Sequence, residues 1–281
     1  MSTQQPNLTK PAAKPAATEK KPGGISAGLI LIVLFAIAIA IYTLVMGDGS
    51  HFEGGTNEGH PLPGDYFGVV YKGGVIVPVL MTCFLTALTF SIERLLTIGK
   101  AKGKGDVNAF VRLVQASLDK DDVEAALKAC KVQEGSVGNV TLAAINKYKA
   151  LTTEKALDKE QKLAALSKEV EEATSLELPM LEKNLTIIAT LASVSTLIGL
   201  LGTVIGMIKA FASLGNSGGS TDSSALANGI SEALINTALG IGTSAICIIA
   251  YNVFTAKIDE LTYSIDEIGL SVNQNYATHH N

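Results

Sequence analysis

The sequence predicts an all-α, polytopic membrane protein carrying a helical bundle outside the membrane, and three observations predict it. Four stretches, residues 25–46, 74–98, 185–214 and 225–256, are long and apolar enough to fill a hydrocarbon core, which takes about 20 residues at about 1.5 Å rise each. Mean hydropathy is +0.33 with 17% charged residues, too apolar for an ordinary soluble domain that still has a long charged middle. The polar remainder repeats apolar residues at steps of three and four, the spacing of one helix face.

Taken in order, residues 1–24 are rich in Pro, Ala, Gln and Lys without apolar periodicity and read as a disordered tail. Residues 25–46 hold no charge and exceed the roughly 7 to 15 residues of a signal-peptide core. Val-Met-Gly-Asp-Gly at 45–49 offers no A-x-A cleavage site, so this stretch reads as a retained membrane helix. Residues 47–73 form a connecting loop, and 74–98 the next span, with Pro78 a candidate kink and Glu93 with Arg94 expected to anchor an interface.

From 99 to 184 the chain turns polar but helical. Val107, Phe110, Val111, Val114 and Leu118 form one apolar face, and Leu163, Leu166, Val170 and Leu176 another. The third span, 185–214, is 30 residues or about 45 Å, longer than a bilayer needs, and is expected to continue into the bundle. Gly-Asn-Ser-Gly-Gly-Ser-Thr-Asp-Ser-Ser at 215–224 is a turn that makes 185–256 an antiparallel hairpin. In 257–281, Ile258, Leu261, Ile265, Ile268 and Val272 follow a heptad-like pattern. Two readings stand for it: association between neighbouring subunits, or an amphipathic helix lying on its own bundle.

Orientation follows the positive residues beside the spans. Lys10, Lys14, Lys20 and Lys21 precede the first span, and Arg94, Lys100, Lys102 and Lys104 flank the end of the second; both ends belong in the cytoplasm. The 47–73 loop has Asp48, Glu53, Glu58 and Asp65 against Lys72 and reads as periplasmic. Four crossings return the C-terminus to the cytoplasm, which makes 99–184 a cytoplasmic domain.

The last two spans carry more than lipid requires. Thr186, Thr190, Ser193, Thr196, Gly199, Thr203, Gly206 and Ala210 step by three or four along the first, and Glu232, Asn236, Gly240, Thr243 and Cys247 along the second. Lys209 in one span mirrors Glu232 in the other. An ionisable group at a helix centre costs roughly 2.5 to 3.5 kcal/mol on insertion scales, so these helices read as lining an aqueous or protein-filled pore. For Lys209 and Glu232 a structural ion pair is the competing reading. For Gly199, Gly202 and Gly206, close helix packing is the leading one.

Enzyme chemistry finds no support. The sequence has no G-x-x-x-x-G-K-[ST], G-x-S-x-G or H-E-x-x-H motif. His51, His60, His279 and His280 lack metal-site spacing, so neither metal nor cofactor is expected. Cys83, Cys130 and Cys247 are read as packing residues. Nothing points to nucleic acid as a partner.

Two blocks carry a resemblance: Ile-Gly-Leu-Leu-Gly-Thr-Val-Ile-Gly-Met-Ile-Lys-Ala-Phe at 198–211, and Gly-Ile-Ser-Glu-Ala-Leu-Ile-Asn-Thr-Ala-Leu-Gly at 229–240. They resemble the MotA/TolQ/ExbB proton-channel family, nearer its ExbB and TolQ branch, as does Ser-Ile-Glu-Arg-Leu-Leu at 91–96. The extra first span with its acidic loop departs from the three-span family pattern.

The resemblance implies a bacterial inner-membrane homopentamer around the transmembrane helices of an ExbD- or TolR-like partner, whose aspartate exchanges protons, and a TonB-like energy transducer. It also implies pore-facing roles for Thr203, Thr237 and Glu232. Asn236, Thr196 and Lys209 are added from the polar stripe, and Gly240 joins the packing glycines. The residues themselves argue for a missing partner, because the four spans contain no Asp and Glu232 is their carboxylate near the outer end.

Overall fold

Helix formation tracks the apolar runs closely in the computed structural model, which describes residues 27–216 and 223–280. The expected tail 1–24 and most of the turn 215–224 lie outside the described residues. Among the described residues, four helices are long and apolar enough to cross a membrane, and there is no strand beyond an isolated Phe52–Pro61 bridge.

Helix α1 (Ala27–Ala40) is apolar all round, and its last turns widen into a π-helical segment, Ile41–Met46. The loop that follows is folded rather than open. Asp48 caps a turn at Gly49–His51, and Asp65 caps α2 (Tyr66–Tyr71) by accepting from the Gly68 amide. His51 Nδ1 lies 2.7 Å from Asp65 Oδ2. Lys72 donates to the carbonyls of Asn57 and Glu58 at 2.9 and 3.2 Å while its ammonium stands 5.3 Å from the Phe52 ring centre. Tyr42 ties the loop to the first span, stacking on Tyr71 at 4.7 Å and donating to its carbonyl at 3.0 Å.

Helix α3 (Val77–Ala101) carries Pro78 in its first turn. There the missing amide would have had no partner anyway, so Pro78 starts this helix instead of kinking it. Arg94 is also placed differently from the expected interface anchor. It is 1% exposed and pairs with Glu93, and its guanidinium donates to the carbonyls of Met180 and Leu181 at 2.9 and 3.0 Å.

Those carbonyls close α7 (Lys159–Glu182), and α8 (Leu185–Asn216) begins after Asn184 at φ 66°. The third span therefore does not run on into the bundle, as its length had suggested. A left-handed Asn breaks the helix, and Arg94 with the Asn184–Glu93 hydrogen bond fixes the break to α3.

The continuous helix is instead α9 (Ser223–His279), 57 residues or about 85 Å. Its second half packs on α4 (Val107–Leu118), α6 (Gly135–Thr153) and α7, with α5 (Val123–Gln133) completing the bundle. All five heptad-like residues, Ile258 to Val272, are buried there, as are Val107, Phe110, Val111, Val114 and Leu118. Each such side chain contributes about 1.5 to 3 kcal/mol of burial. This favours the own-bundle reading of the C-terminal pattern. Of the expected α7 face, Leu166 is buried but Leu176 is 79% exposed. Glu177, about 100° further round, is the residue that meets α6, accepting from Ser136 and Asn139.

Candidate functional site

The candidate site is the contact between α8 and α9, and glycine is what allows it. A Cβ on Gly202 would stand 2.5 Å from Cβ of Asn236, one on Gly206 would stand 2.8 Å from the Gly229 carbonyl, and one on Gly240 would stand 2.6 Å from the Ser195 carbonyl. Gly199 faces Gly240 directly, since a Cβ on Gly199 would stand 3.1 Å from the Gly240 Cα. Bare backbones thus meet along about three turns, in the manner of small-xxx-small packing.

Between these contacts the polar side chains pair across the interface. Nearest the 47–73 loop, Lys209 Nζ lies 2.6 Å from Glu232 Oε1. The carboxylate side chain is 12% exposed and the ammonium 52%. One turn further along α9, Asn236 is fully buried and donates from Nδ2 to the Gly73 carbonyl at 2.9 Å. Its Oδ1 has no hydrogen-bond partner among the described residues. Next, the hydroxyls of Thr203 and Thr237 meet each other, and both also point to the Gly199 carbonyl, at 3.3 and 3.4 Å. The geometry presents, in sequence, a carboxylate with its counter-ion, an amide and a hydroxyl pair. The carboxylate accepts, the ammonium donates, and the amide and both hydroxyls can each donate and accept a hydrogen bond.

Not every residue of the stripe takes part. Thr196 is half-buried and turned back to its own helix, with Oγ1 3.5 Å from the Ala192 carbonyl. Thr186, Thr190 and Ser193 are exposed, whereas Ser195 is buried against Gly240. The stripe is therefore two features: a packed half from Gly199 to Ala210, and an exposed hydroxyl half nearer the bundle. A strict step of three or four drifts around a 3.6-residue helix, which is why one face was expected and two appear. Glu232 and Thr237, five residues and about 140° apart, both reach α8, at different levels.

The sequence reading missed the start of α3. Gly74, at φ 76°, lies against the Glu232 carboxylate so closely that a Cβ there would collide with Oε1. Lys72, Lys209, Ser213, Asn228 and Glu232 line an open cavity of about 410 Å³ beside it. The Gly73-Gly74 pair was the available signal, because two glycines before an apolar run mark a backbone approached closely by something else. Cys83, Cys130 and Cys247 are free and buried.

Fold and site together define a multi-pass helical membrane protein whose last two spans pack around buried polar and ionisable groups. Residues 137–267 match the MotA/TolQ/ExbB proton channel family. Among relatives, the chain is 26% identical to the Tol-Pal system protein TolQ of Pseudomonas aeruginosa over 195 residues, 69% of this chain and 84% of that one. It is 41% identical to the putative biopolymer transport protein ExbB-like 3 of Synechocystis sp. over 88 residues, 30% of this chain and 41% of that one. It is 43% identical to the biopolymer transport protein ExbB of Helicobacter pylori over 82 residues, 29% of this chain and 56% of that one. The last two matches span less than two thirds of those relatives. These matches make the chain similar to the MotA/TolQ/ExbB family, on the side of its ExbB and TolQ members.

Proposed function

We propose that this chain is the channel-forming stator subunit of an inner-membrane motor driven by the proton-motive force. Proton flow along the α8–α9 groups would move the helices of an ExbD- or TolR-like partner, and the work would pass to envelope proteins through a TonB-like transducer. The subunit would assemble as a homopentamer with both termini cytoplasmic and the 47–73 loop periplasmic, and would carry no enzymatic step of its own. The observation that carries the reading is the run of exchangeable groups, Glu232, Asn236, Thr203 and Thr237, inside an otherwise apolar pair of spans. Similarity to ExbB and TolQ proteins supports it.

A second reading, a non-conducting oligomeric scaffold, is favoured by one specific observation: Lys209 with Glu232 and Thr203 with Thr237 already satisfy one another within a single chain. Such groups could serve as packing glue alone. Proton flux into liposomes holding the chain and its single-span partner separates the two. A stator conducts as wild type and fails as Thr203→Val or Glu232→Gln with assembly intact; a scaffold never conducts.

A further inference from the structure

A second polar constellation lies at the opposite membrane boundary from Glu232. A cavity of about 190 Å³ opens between the end of α3, the start of α4 and α9 just past its apolar half. Its apolar side is built by Leu95, Ile98 and Leu261, and its polar side includes Lys102, Lys257 and Glu260. The two lysines come from segments 155 positions apart in the sequence, Lys102 directly after α3 ends at Ala101 and Lys257 directly after the apolar stretch that ends at Ala256. That places both ammoniums at headgroup level, where long basic side chains are stable.

The charges are not consumed by the protein. Among the described residues, Lys102, Lys257 and Glu260 form no ion pair and no side-chain hydrogen bond. Asp106, also at the cavity, is engaged, because its carboxylate oxygens accept from the amides of Asn108 and Ala109 at 3.2 Å to cap α4. The unengaged set is two cations and one anion. On α3, Ile92, Leu95 and Leu96 are 59%, 53% and 60% exposed and share one helix face that leads to the cavity's edge.

We propose that this cavity binds the headgroup of a zwitterionic aminophospholipid from the adjoining leaflet. The phosphodiester sits between Lys102 and Lys257, the primary ammonium meets Glu260, and the acyl chains follow Ile92, Leu95 and Leu96. A headgroup without the ammonium would satisfy the lysines but leave Glu260 without a cation, so the site prefers phosphatidylethanolamine to phosphatidylglycerol. Basic pockets between membrane helices are established headgroup sites in general. The carboxylate is what sets the preference here.

The chain contains no tryptophan, so Leu95→Trp supplies a single fluorophore at the cavity. The full chain is placed in vesicles of equal phosphatidylethanolamine and phosphatidylglycerol, with brominated acyl chains on one lipid or the other. Quenching should favour brominated phosphatidylethanolamine on the order of fivefold, the ratio that one surface charge contact gives. Glu260→Gln should erase that preference, and Lys102→Gln with Lys257→Gln should reduce quenching by both lipids to that of random contact.

Equal quenching by both lipids in every variant, or a wild-type preference for phosphatidylglycerol, overturns the proposal. Millimolar glycerophosphoethanolamine that abolishes the preference would assign the site to a soluble phosphodiester and overturn its lipid source. Helix content by circular dichroism checks folding of the variants. Lipid retained by the unmodified chain from mixed nanodiscs, read by native mass spectrometry, gives the same comparison without any substitution.

Discussion

Asn236 on α9 donates to the main-chain carbonyl of Gly73 at 2.9 Å, joining the last span to the start of α3 across 163 positions of sequence. Both partners lie away from water, so removing the amide strands a carbonyl with no replacement donor. Asn236→Ala should cost about 1 kcal/mol, between the average for hydrogen bonds in membrane bundles and that for buried bonds in water. Thermal unfolding in detergent, compared with the exposed Ser231→Ala, reads it. Equal stability of the two variants would show that the bond holds nothing.

Gly74 is the second point of that contact, and its conformation makes it testable. At φ 76° an alanine costs about 1 to 2 kcal/mol in backbone alone, and its Cβ would also collide with the Glu232 carboxylate. Gly74→Ala should therefore lower both stability and proton flux. Gly28→Ala meets nothing within 4 Å and should leave both intact or raise stability by up to about 1 kcal/mol.

Much of this was legible before any coordinates. Apolar length located the spans, and burial of Val107, Phe110, Val111, Val114 and Leu118 and of Ile258 to Val272 follows from steps of three and four. What escaped was tertiary. Arg94 reads as an interfacial cation until the carbonyls of Met180 and Leu181 are seen to need a donor. Asn184 gives no sign from its neighbours that it will turn left-handed and end α7. The folded 47–73 loop rests on pairs such as His51 with Asp65 and Lys72 with Asn57, 14 and 15 residues apart, which no helical or strand period encodes. Within the site, residue types were readable but their pairing was not: Lys209 and Glu232 could be paired or separate until α8 and α9 were registered by their glycines.

The folded loop should respond to acid. The His51 hydrogen bond first, and then the Gly68 amide, hold the Asp65 carboxyl below the usual carboxylate range. A carboxyl held low in the folded state adds stability above its unfolded value, about 3.9, and that stability is lost as pH falls through the lower folded value. Amides of 47–73 should stay protected from hydrogen exchange near pH 6 and lose protection below about pH 4, after correction for intrinsic rates. His51→Ala should weaken protection at pH 6 and flatten the dependence. A loop equally protected at pH 3 and pH 6 would contradict this.

Cys130 should be chemically silent while the bundle is folded. It is 2% exposed, and burial pushes its thiol up to about 12, so almost no thiolate exists near neutral pH. Maleimide labelling at pH 7.5 should be slow until denaturant is added. Rapid labelling in the native state would mean that the bundle around α5 opens readily.

The Lys209–Glu232 pair allows the strongest test of what Glu232 does. Removing one partner of a fully buried pair costs about 3 to 5 kcal/mol; with the ammonium side chain 52% exposed, the cost falls to the order of 1 kcal/mol. Lys209→Met leaves the nearly buried carboxylate without its cation, and Glu232→Gln leaves the ammonium without its anion, so each single change should destabilise. The double variant removes both charges and should recover most of that stability, because nothing unpaired remains. Flux need not follow stability. If the pair is only structural, the double variant assembles and conducts like wild type. If Glu232 hands on protons, the double variant assembles as well as wild type and conducts nothing, since a glutamine amide cannot take up and release a proton near neutral pH. The same double variant thus separates a structural ion pair from a conducting carboxylate, with its own stability as the internal control.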